Sequence, residues 1–382
     1  MQGLRRSWIC AARKFIRLDS AECLIVAEYA VVSANLEKDR KVIIDLWRRN
    51  LADTGHLEEK YDWHFLNNPF GPGQIWILKA DGQPIGTTSL GMRLLKSGET
   101  VTTAGVACDL AVNKDHRFLR PALMLQRALL SSANPEVQIL YGVPNSGGAS
   151  VMKYVGYRQF CAVHRYARVL RPSHYLLRSP KLKAMAPIIG KLADQGFAAW
   201  QSFGRRKGRR AAQVLPCFDE RFDELWNSLK SDHATLTVRN RRFLKWRYRE
   251  CPLREYKTLG LLTPDESKLL GYLIYYVKDA SALCVDLLAP GGAEDIESLL
   301  SSWAALASGD GLAALSISCP GGALADALLL HGFSRRSVVP ARKSDRTQGH
   351  EACKALFTHL RHSGAETAVA DTWYYTEGDS PY

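Results

Sequence analysis

Three features that would each point to a class of protein are missing from this sequence of 382 residues. No apolar run approaches the roughly 18 residues that cross a bilayer, which argues against a membrane-spanning helix. The nine cysteines are scattered and odd in number, and none has C-x-x-C spacing. This argues against a disulfide framework or a zinc site and leads us to expect a reducing, cytoplasmic location. The histidines share no ligand spacing, so the sequence predicts no metal site.

The net positive charge of the chain is concentrated in two segments. The formal net charge is +13, and residues 165–210 alone contain twelve Lys and Arg residues against one acid, Asp194. Residues 1–17 contain five more and no acid. The rest of the chain is slightly negative. The sequence therefore predicts a basic N-terminal extension (1–21) and a basic linker (172–213). It does not predict a basic cleft in the rest of the chain.

The basic linker has apolar residues at helical spacing over residues 180–210, which predicts an amphipathic segment. One interpretation is a solvated interdomain helix. A second is contact with an anionic membrane surface, with Trp200 and Phe203 inserted beside the run GRRKGRR. Contact with RNA is a third, which we favour least, so we expect no nucleic-acid partner.

A weak internal repeat divides the rest of the chain. Its three features are a Trp six residues before a Pro, an Asp-Leu pair in an apolar run, and a Gly followed by an aromatic residue. They begin at Trp63 and Trp246, at Asp109 and Asp286, and at Gly156 and Gly332. The offsets between copies are 183, 177 and 176 residues, so the order and spacing are shared.

The repeat predicts two copies of one α/β unit, over residues 22–171 and 214–345. In the first copy, Cys23–Val32 reads as a strand and Asn35–Leu51 as an amphipathic helix. The segment 346–382 is predicted to contain a helix over His350–Arg361 and a polar-aromatic tail.

The segment from Thr103 to Tyr157 contains the pattern that indicates a chemical function. Apolar runs at Gly105–Val112 and Val137–Val143 flank a basic loop and a helix-period run at Pro121–Leu130, and a Gly-rich turn and short helix follow. This order resembles the acyl-CoA-binding half of the GNAT acyltransferases. The resemblance implies two GNAT-like domains, each a mixed twisted sheet flanked by helices. It also implies acetyl-CoA or a longer acyl-CoA as co-substrate, bound by the first domain.

The family's loop pattern, R/Q-x-x-G-x-G/A, holds a diphosphate on backbone N–H groups at a helix N-terminus. Arg117 and Ala122 match it, but Arg120 stands where the first glycine is expected. Either Arg120 binds phosphate directly, or the loop has lost its ability to bind a diphosphate. Pro121 suits the first helical position in both cases. The cofactor-binding residues that the resemblance implies are Leu110, Val112, Arg117, Leu119, Arg120, Ala122 and Asn145.

The short helix before Gly156 also departs from the family. Asn145, Gly148 and Val151 match N-x-x-A-x-x-L-Y, but Met152 replaces the tyrosine that can protonate the leaving thiolate. The catalytic candidates are Asp109, as the base that accepts the amine proton, and Asn145. A second aspartate, Asp286, recurs in the other copy without a cofactor loop, so a structural role for Asp109 stays open.

Strand alternation places Cys108 on the face opposite Asp109, which predicts a packing role for this thiol rather than an acyl-cysteine intermediate.

Together these patterns predict an acyl-CoA-dependent N-acyltransferase whose small-molecule amine acceptor lies between the domains. The tandem organisation is similar to polysaccharide-associated GNAT proteins and to interpeptide-bridge transferases, which implies an amino sugar or amino acid of an envelope pathway. Two alternatives stay open. One is an aminoacyl-tRNA-dependent transferase, and the other is a catalytically silent tandem protein that acts as a scaffold.

Overall fold

The computed structural model describes residues 27–176, 194, 210–229, 235–336, 353–361 and 373–382. The predicted N-terminal extension (1–21) lies outside these residues. So do residues 180–210 of the linker, apart from Asp194 and Arg210. The membrane contact predicted for that segment therefore stays a prediction.

The first half of the chain alternates strands and helices. Its strands are β1 (Tyr29–Ser33), β2 (Gln74–Ala80), β3 (Gln83–Ser97), β4 (Thr100–Val112), β5 (Ile139–Gly142) and β6 (Arg158–Val169). Its helices are α1 (Arg40–Asn50), α2 (Leu57–Tyr61, continuing as a π-helical turn over Asp62–Leu66), α3 (Leu119–Ser132), α4 (Ser146–Tyr154) and α5 (Ser173–Leu176), with a 3-10 turn at Lys114–His116.

The second half repeats much of this order. Its strands are β7 (Gln213–Leu215), β8 (Leu236–Thr237), β9 (Lys257–Leu262), β10 (Leu269–Lys278), β11 (Ser281–Leu288), β12 (Ala314–Cys319), β13 (Ser334–Arg335) and β14 (Cys353–Leu360). Its helices are α6 (Glu220–Asn227), α7 (Arg241–Leu244, continuing as a π-helical turn over Lys245–Arg249), α8 (Ala293–Gly309) and α9 (Ala323–Leu330), with a 3-10 turn at Glu377–Asp379. Within the described residues, no helix combines the length and apolarity needed to cross a membrane.

The predicted first helix begins five residues later than expected. Residues 35–39 form a turn in which the Asn35 side chain accepts the backbone N–H groups of Glu37 and Lys38, and Asp39 accepts that of Asn35. Asn and Asp side chains compete with the helix for backbone donors in this way. The helix therefore starts at Arg40.

The described strands form a single sheet. Its order is β1-β2-β3-β4-β5-β14-β6-β12-β11-β10-β9-β7, with β13 paired to β6 and β8 paired to β3. All pairs are antiparallel except β4–β5 and β11–β12. Helices pack against this sheet around several buried apolar clusters. The prediction of a mixed α/β fold is confirmed.

Two strands are exchanged between the halves. Residues 158–164 of β6 pair with β14, whereas residues 164–169 pair with β12 of the second half. In return, β14 lies between β5 and β6 of the first half. Each half therefore completes its sheet with a strand from the other.

The predicted C-terminal helix over His350–Arg361 is wrong, because Cys353–Leu360 forms β14. Neighbouring residues Leu356 and Phe357 pack into different core clusters. The apolar spacing suits a helix or a strand. The gap between β5 and β6 decides in favour of a strand, because it supplies backbone partners on both sides and buries both faces.

The repeat seen in the sequence corresponds to equivalent elements. Trp63 and Trp246 lie in the two π-helical turns, and their rings stack with centroids 4.9 Å apart. Each indole N–H donates to the other tryptophan's backbone carbonyl, at 2.8 and 3.0 Å. Asp109 and Asp286 likewise occupy β4 and β11, the strands that each begin a parallel pair. Both tryptophans are buried and belong to the same core cluster.

A buried ionic network attaches the tail to the second half. The Arg239 guanidinium donates to Asp286 and to Asp379, in both cases at 2.9 Å, and all three side chains are fully buried. Thr376 completes the network by donating to Asp286 at 3.2 Å. Because buried charges must be paired, this network holds the tail segment 373–382 against the sheet.

Replacing Arg239 by Met should lower the free energy of unfolding by about 3–5 kcal/mol, because two buried carboxylates lose their cation. Urea denaturation followed by fluorescence measures the change. Arg241→Met is the matched control, since Arg241 pairs with Glu220 at the surface. That substitution should cost less than about 1 kcal/mol. Equal losses for the two variants would contradict the structural role of the network.

Candidate active site

A cavity opens where two parallel strands separate. β4 and β5 pair only from Ala104 with Ile139 to Val106 with Tyr141. Beyond this point lies a cavity of about 510 Å³. Its walls are Ala107–Leu110 of β4, the segment Val143–Asn145 after β5, and the tail residues Glu377 and Ser380–Tyr382. We call it the β4–β5 cavity. Of the predicted site residues, Asp109, Leu110 and Asn145 line it.

Asp109 occupies a distorted position in β4. Its φ is +49°, in the left-handed region, and the register between β3 and β4 shifts at this point. A bulge of this kind redirects a side chain out of the normal alternation. The carboxylate Oδ1 accepts from Lys60 Nζ at 2.7 Å and from the Tyr382 hydroxyl. Oδ2 is buried and has no hydrogen-bond partner among the described residues.

The two groups that donate to Asp109 also contact aromatic rings. Lys60 is buried, and its ammonium lies 4.9 Å from the Trp47 ring centroid and 3.9 Å from that of Tyr382. Burial, followed by the charge of Asp109, raises the pKa of Tyr382 well above its usual value. The Tyr382 hydroxyl therefore stays protonated at neutral pH and is available as a hydrogen-bond donor in the cavity.

Sequence reasoning missed Tyr382 and Lys60. Tyr382 is 273 positions from the Asp109 it contacts, and Lys60 is 49 positions away. Neither belongs to a local motif. The repeated Asp and the family resemblance of the segment Thr103–Tyr157 pointed to this place, but neither indicated Lys60 or Tyr382.

The repeat counterpart of Asp109 has a different environment. Asp286 accepts from Arg239, from the Tyr248 hydroxyl at 3.0 Å and from Thr376. Both of its oxygens therefore have partners, whereas Asp109 keeps one free acceptor atom in a cavity wall. The same residue type is structural in one copy and chemically available in the other.

Asn145 and Met152 bring little acid–base chemistry to the cavity. Asn145 is the N-cap of α4, and its Oδ1 accepts the Gly148 N–H at 2.9 Å. Met152 is buried and lines the cavity, but a thioether cannot donate a proton. Tyr154 is 68% exposed and does not line the cavity. The tyrosine that does line it is Tyr382.

The remaining predicted cofactor residues lie beyond the cavity wall, where β4 continues into α3. Val112, Arg117, Leu119, Arg120 and Ala122 do not line the cavity. The Arg117 guanidinium donates to the carbonyl oxygens of Val112, at 2.9 Å, and Asn50, at 3.2 Å, so it braces the loop. Arg120 is exposed, with its guanidinium 5.7 Å from the Tyr29 ring centroid.

Helix α3 begins at Leu119, so Pro121 is its third residue rather than its first. The first four N–H groups of a helix have no helical acceptor, which is why proline is tolerated there. Phe118, the N-cap residue, makes no capping hydrogen bond. The backbone N–H groups of Leu119 and Arg120 therefore point from the helix start without a helical partner.

The predicted placement of Cys108 is wrong, because it lines the same cavity as Asp109. The bulge at Asp109 breaks the alternation on which the prediction relied. Burial raises the pKa of the Cys108 thiol well above its usual value, and the Asp109 charge raises it further. The thiol is therefore protonated and a poor nucleophile at neutral pH.

Comparison with known proteins identifies the fold. No protein-family model and no curated protein matches the chain. A solved structure of a probable N-acyltransferase from Enterococcus faecalis is similar with a TM-score of 0.61 at 12% identity, covering 88% of this chain and 73% of the other. Saccharomyces cerevisiae N-myristoyltransferase with bound myristoyl-CoA has a TM-score of 0.52 at 10% identity, covering 90% and 85%.

A tandem GNAT protein from the clavulanic acid biosynthesis pathway has a TM-score of 0.50 at 12% identity, covering 88% of this chain and 99% of the other. Identities this low establish the fold alone. The predicted fold class is thus confirmed: the chain has the α/β fold of the GNAT N-acetyltransferases, in an arrangement that a tandem GNAT protein shares.

Proposed function

We propose that this protein is an acyl-CoA-dependent N-acyltransferase whose donor occupies the β4–β5 cavity. The observation that carries the proposal is the gap between two diverging parallel strands. Asp109, whose buried Oδ2 has no hydrogen-bond partner among the described residues, is one of the residues that line it. Beyond Val106, β4 no longer pairs with β5, so its backbone can bind an extended ligand. Neighbours of the same fold include a transferase with bound myristoyl-CoA.

Charge favours the first half as the donor site. The segment that leads into α3 contains Lys114, His116 and Arg117 against one acid, Asp115, and Arg120 follows in the first turn. The counterpart helix α8 has Glu294 and Asp295 in its first turn instead. A diphosphate is attracted to the first arrangement and repelled by the second.

The residues of the cavity suit direct transfer to an amine. Acyl-CoA supplies an activated thioester carbon. The amine nitrogen forms a bond to that carbon, the carbon–sulfur bond breaks, and the amine proton passes to Oδ2 of Asp109. Tyr382 gives its proton to the departing thiolate and recovers one from Asp109, so the hydrogen-bonded pair carries the proton and the charges balance.

The acceptor is a small-molecule amine in this proposal. The amino sugar or amino acid of an envelope pathway, implied by the resemblance, stays a prediction, as does a cytoplasmic location. If neither short nor long acyl-CoA binds, the aminoacyl-tRNA-dependent transferase and the silent scaffold become the better interpretations.

Calorimetric titration of the full chain with acetyl-CoA and octanoyl-CoA should show saturable binding. Arg120→Ala should weaken this binding about tenfold, because a phosphate would lose a charged donor beside the open N–H groups of α3. Arg127→Ala is the matched control, since Arg127 is exposed two turns further along the same helix. No heat up to millimolar ligand would reject the proposed donor. An unchanged affinity in Arg120→Ala would show that Arg120 does not bind the phosphates and that the loop has lost this function.

Asp109→Asn should reduce turnover by about 10²–10⁴-fold, because the amide cannot accept the amine proton. Acyl-CoA affinity should change little, since asparagine keeps the shape of the side chain and the proton is transferred only after the donor has bound. Release of free CoA measures turnover, and calorimetry measures affinity. A variant that keeps more than half of its activity would show that Asp109 has only the structural role of its counterpart Asp286.

Cys108 should resist alkylation in the native protein. Each unit by which its pKa is raised lowers the thiolate fraction about tenfold below pH 8.5. Iodoacetamide at pH 8, followed by peptide mass mapping, should modify the exposed Cys217 much faster than Cys108. The rate at Cys108 should rise with pH well beyond neutrality. Rapid labelling of Cys108 at pH 7 would instead favour an acyl-cysteine route.

A further inference from the structure

A second cavity lies in the other half of the sheet. β11 and β12 pair in parallel from Ser281 with Ala314 to Cys284 with Ile317. A cavity of about 230 Å³ is lined by the ends of this pair, including Val285 and Ser318. We call it the β11–β12 cavity. It occupies the position in the second half that the β4–β5 cavity occupies in the first.

The lining of the β11–β12 cavity is strongly cationic. It contains three arginines, Arg165, Arg247 and Arg254, and one carboxylate, Glu377. The Arg165 Nε donates to Ser316 Oγ at 2.8 Å, and the Arg254 guanidinium lies 4.8 Å from the Tyr276 ring centroid. Across the described ranges, neither guanidinium has a carboxylate within ion-pair distance.

Arg247 has the most buried side chain of these three arginines, with 1% exposed. Its Nε and Nη2 donate only to the carbonyl oxygens of Gly378 and Ser380, at 3.3 and 3.4 Å. Nη1 is buried and has no hydrogen-bond partner within the described structure. Burial lowers the pKa of the Arg247 guanidinium, but the neighbouring Tyr256 and Tyr248 raise it above its usual value, so the group stays protonated. Burying a cation without a carboxylate is costly unless an anion joins it.

The repeat shows that this cation belongs to one half only. The counterpart of Arg247 is His64, the residue after the other tryptophan of the stacked pair. Burial, reinforced by Arg93, lowers the pKa of His64 well below its usual value, so it is neutral. A permanent positive charge at this position therefore distinguishes the β11–β12 cavity.

The two cavities share part of one wall. Glu377 and Tyr382 line both of them. Tyr382 also donates to Asp109, the proposed base. The tail segment that borders Asp109 is therefore also part of the wall of the β11–β12 cavity.

We propose that the β11–β12 cavity binds an anionic group, a carboxylate or a phosphate, carried by the amine acceptor. Planar guanidinium groups bind both anions through paired hydrogen bonds. Arg165 and Arg254 supply these donors at the cavity mouth, and Arg247 supplies a fixed charge at its buried end. The assignment of the anion to the acceptor rests on the proposed N-acyltransferase function.

Two pairs of small amines test the proposal by calorimetry on the full chain. O-phosphoethanolamine and ethanolamine differ by a phosphate, and glycine and glycinamide differ by a carboxylate. At least one anionic member should bind about tenfold or more tightly than its neutral partner. The pair that shows the larger difference identifies the anion. If neither anionic member binds more tightly than its partner, the proposal is overturned.

Variants of the half-buried arginines locate the effect. Arg254→Gln and Arg165→Gln should each reduce the preference for the anionic member about tenfold. Arg242→Gln is the matched control, because Arg242 is exposed and lines neither cavity. Equal effects in all three variants would overturn the proposal. These variants are preferable to Arg247→Gln, which alters a fully buried side chain and could prevent folding.

Titration of the same variants with acetyl-CoA separates this inference from the proposed function. Acyl-CoA affinity should be unchanged in Arg254→Gln, since the donor occupies the other cavity. Normal acyl-CoA binding without anion preference would overturn only the anion site. Anion preference without acyl-CoA binding would preserve the site and overturn its role in holding an acceptor for acylation.

Discussion

The exchange of β6 and β14 is the constraint from which the rest of this structure follows. Neither half has a complete sheet, because β6 passes from one half into the other and β14 returns. An unpaired strand edge exposes backbone donors and acceptors, and the exchange covers one such edge in each half, that of β5 and that of β12. The tail that follows β14 is thereby brought between the halves, where Glu377 and Tyr382 reach both cavities.

Equivalent positions in the two halves have different roles. The stacked pair Trp63 and Trp246 keeps the same contact in both copies. The aspartates differ, because Asp286 is saturated by partners from the core and tail, whereas Asp109 retains a free oxygen. Burial and hydrogen bonding therefore leave one carboxylate available for chemistry while the other stabilises the fold.

Much of the fold was predictable because it depends on local patterns. The alternation and helical spacing of apolar residues indicated several strands and helices of the first copy, and the spacing of Trp, Asp and Gly indicated the repeat. Two of the predictions that were wrong had different causes, one a distant contact and the other a local distortion of the backbone. The segment that forms β14 is a strand because a gap in the sheet receives it, and Cys108 faces the cavity because Asp109 adopts a left-handed conformation.

The sequence by itself determined the α/β class, the repeat, the location of the basic charge and the importance of Asp109 as a candidate. Only the tertiary structure decided which groups surround that carboxylate. Lys60 and Tyr382 approach it from distant parts of the chain, and three arginines from β6, the turn after α7 and the following loop meet in the second cavity. The local spacing of residues cannot predict these contacts, because long-range packing and strand exchange bring the residues together.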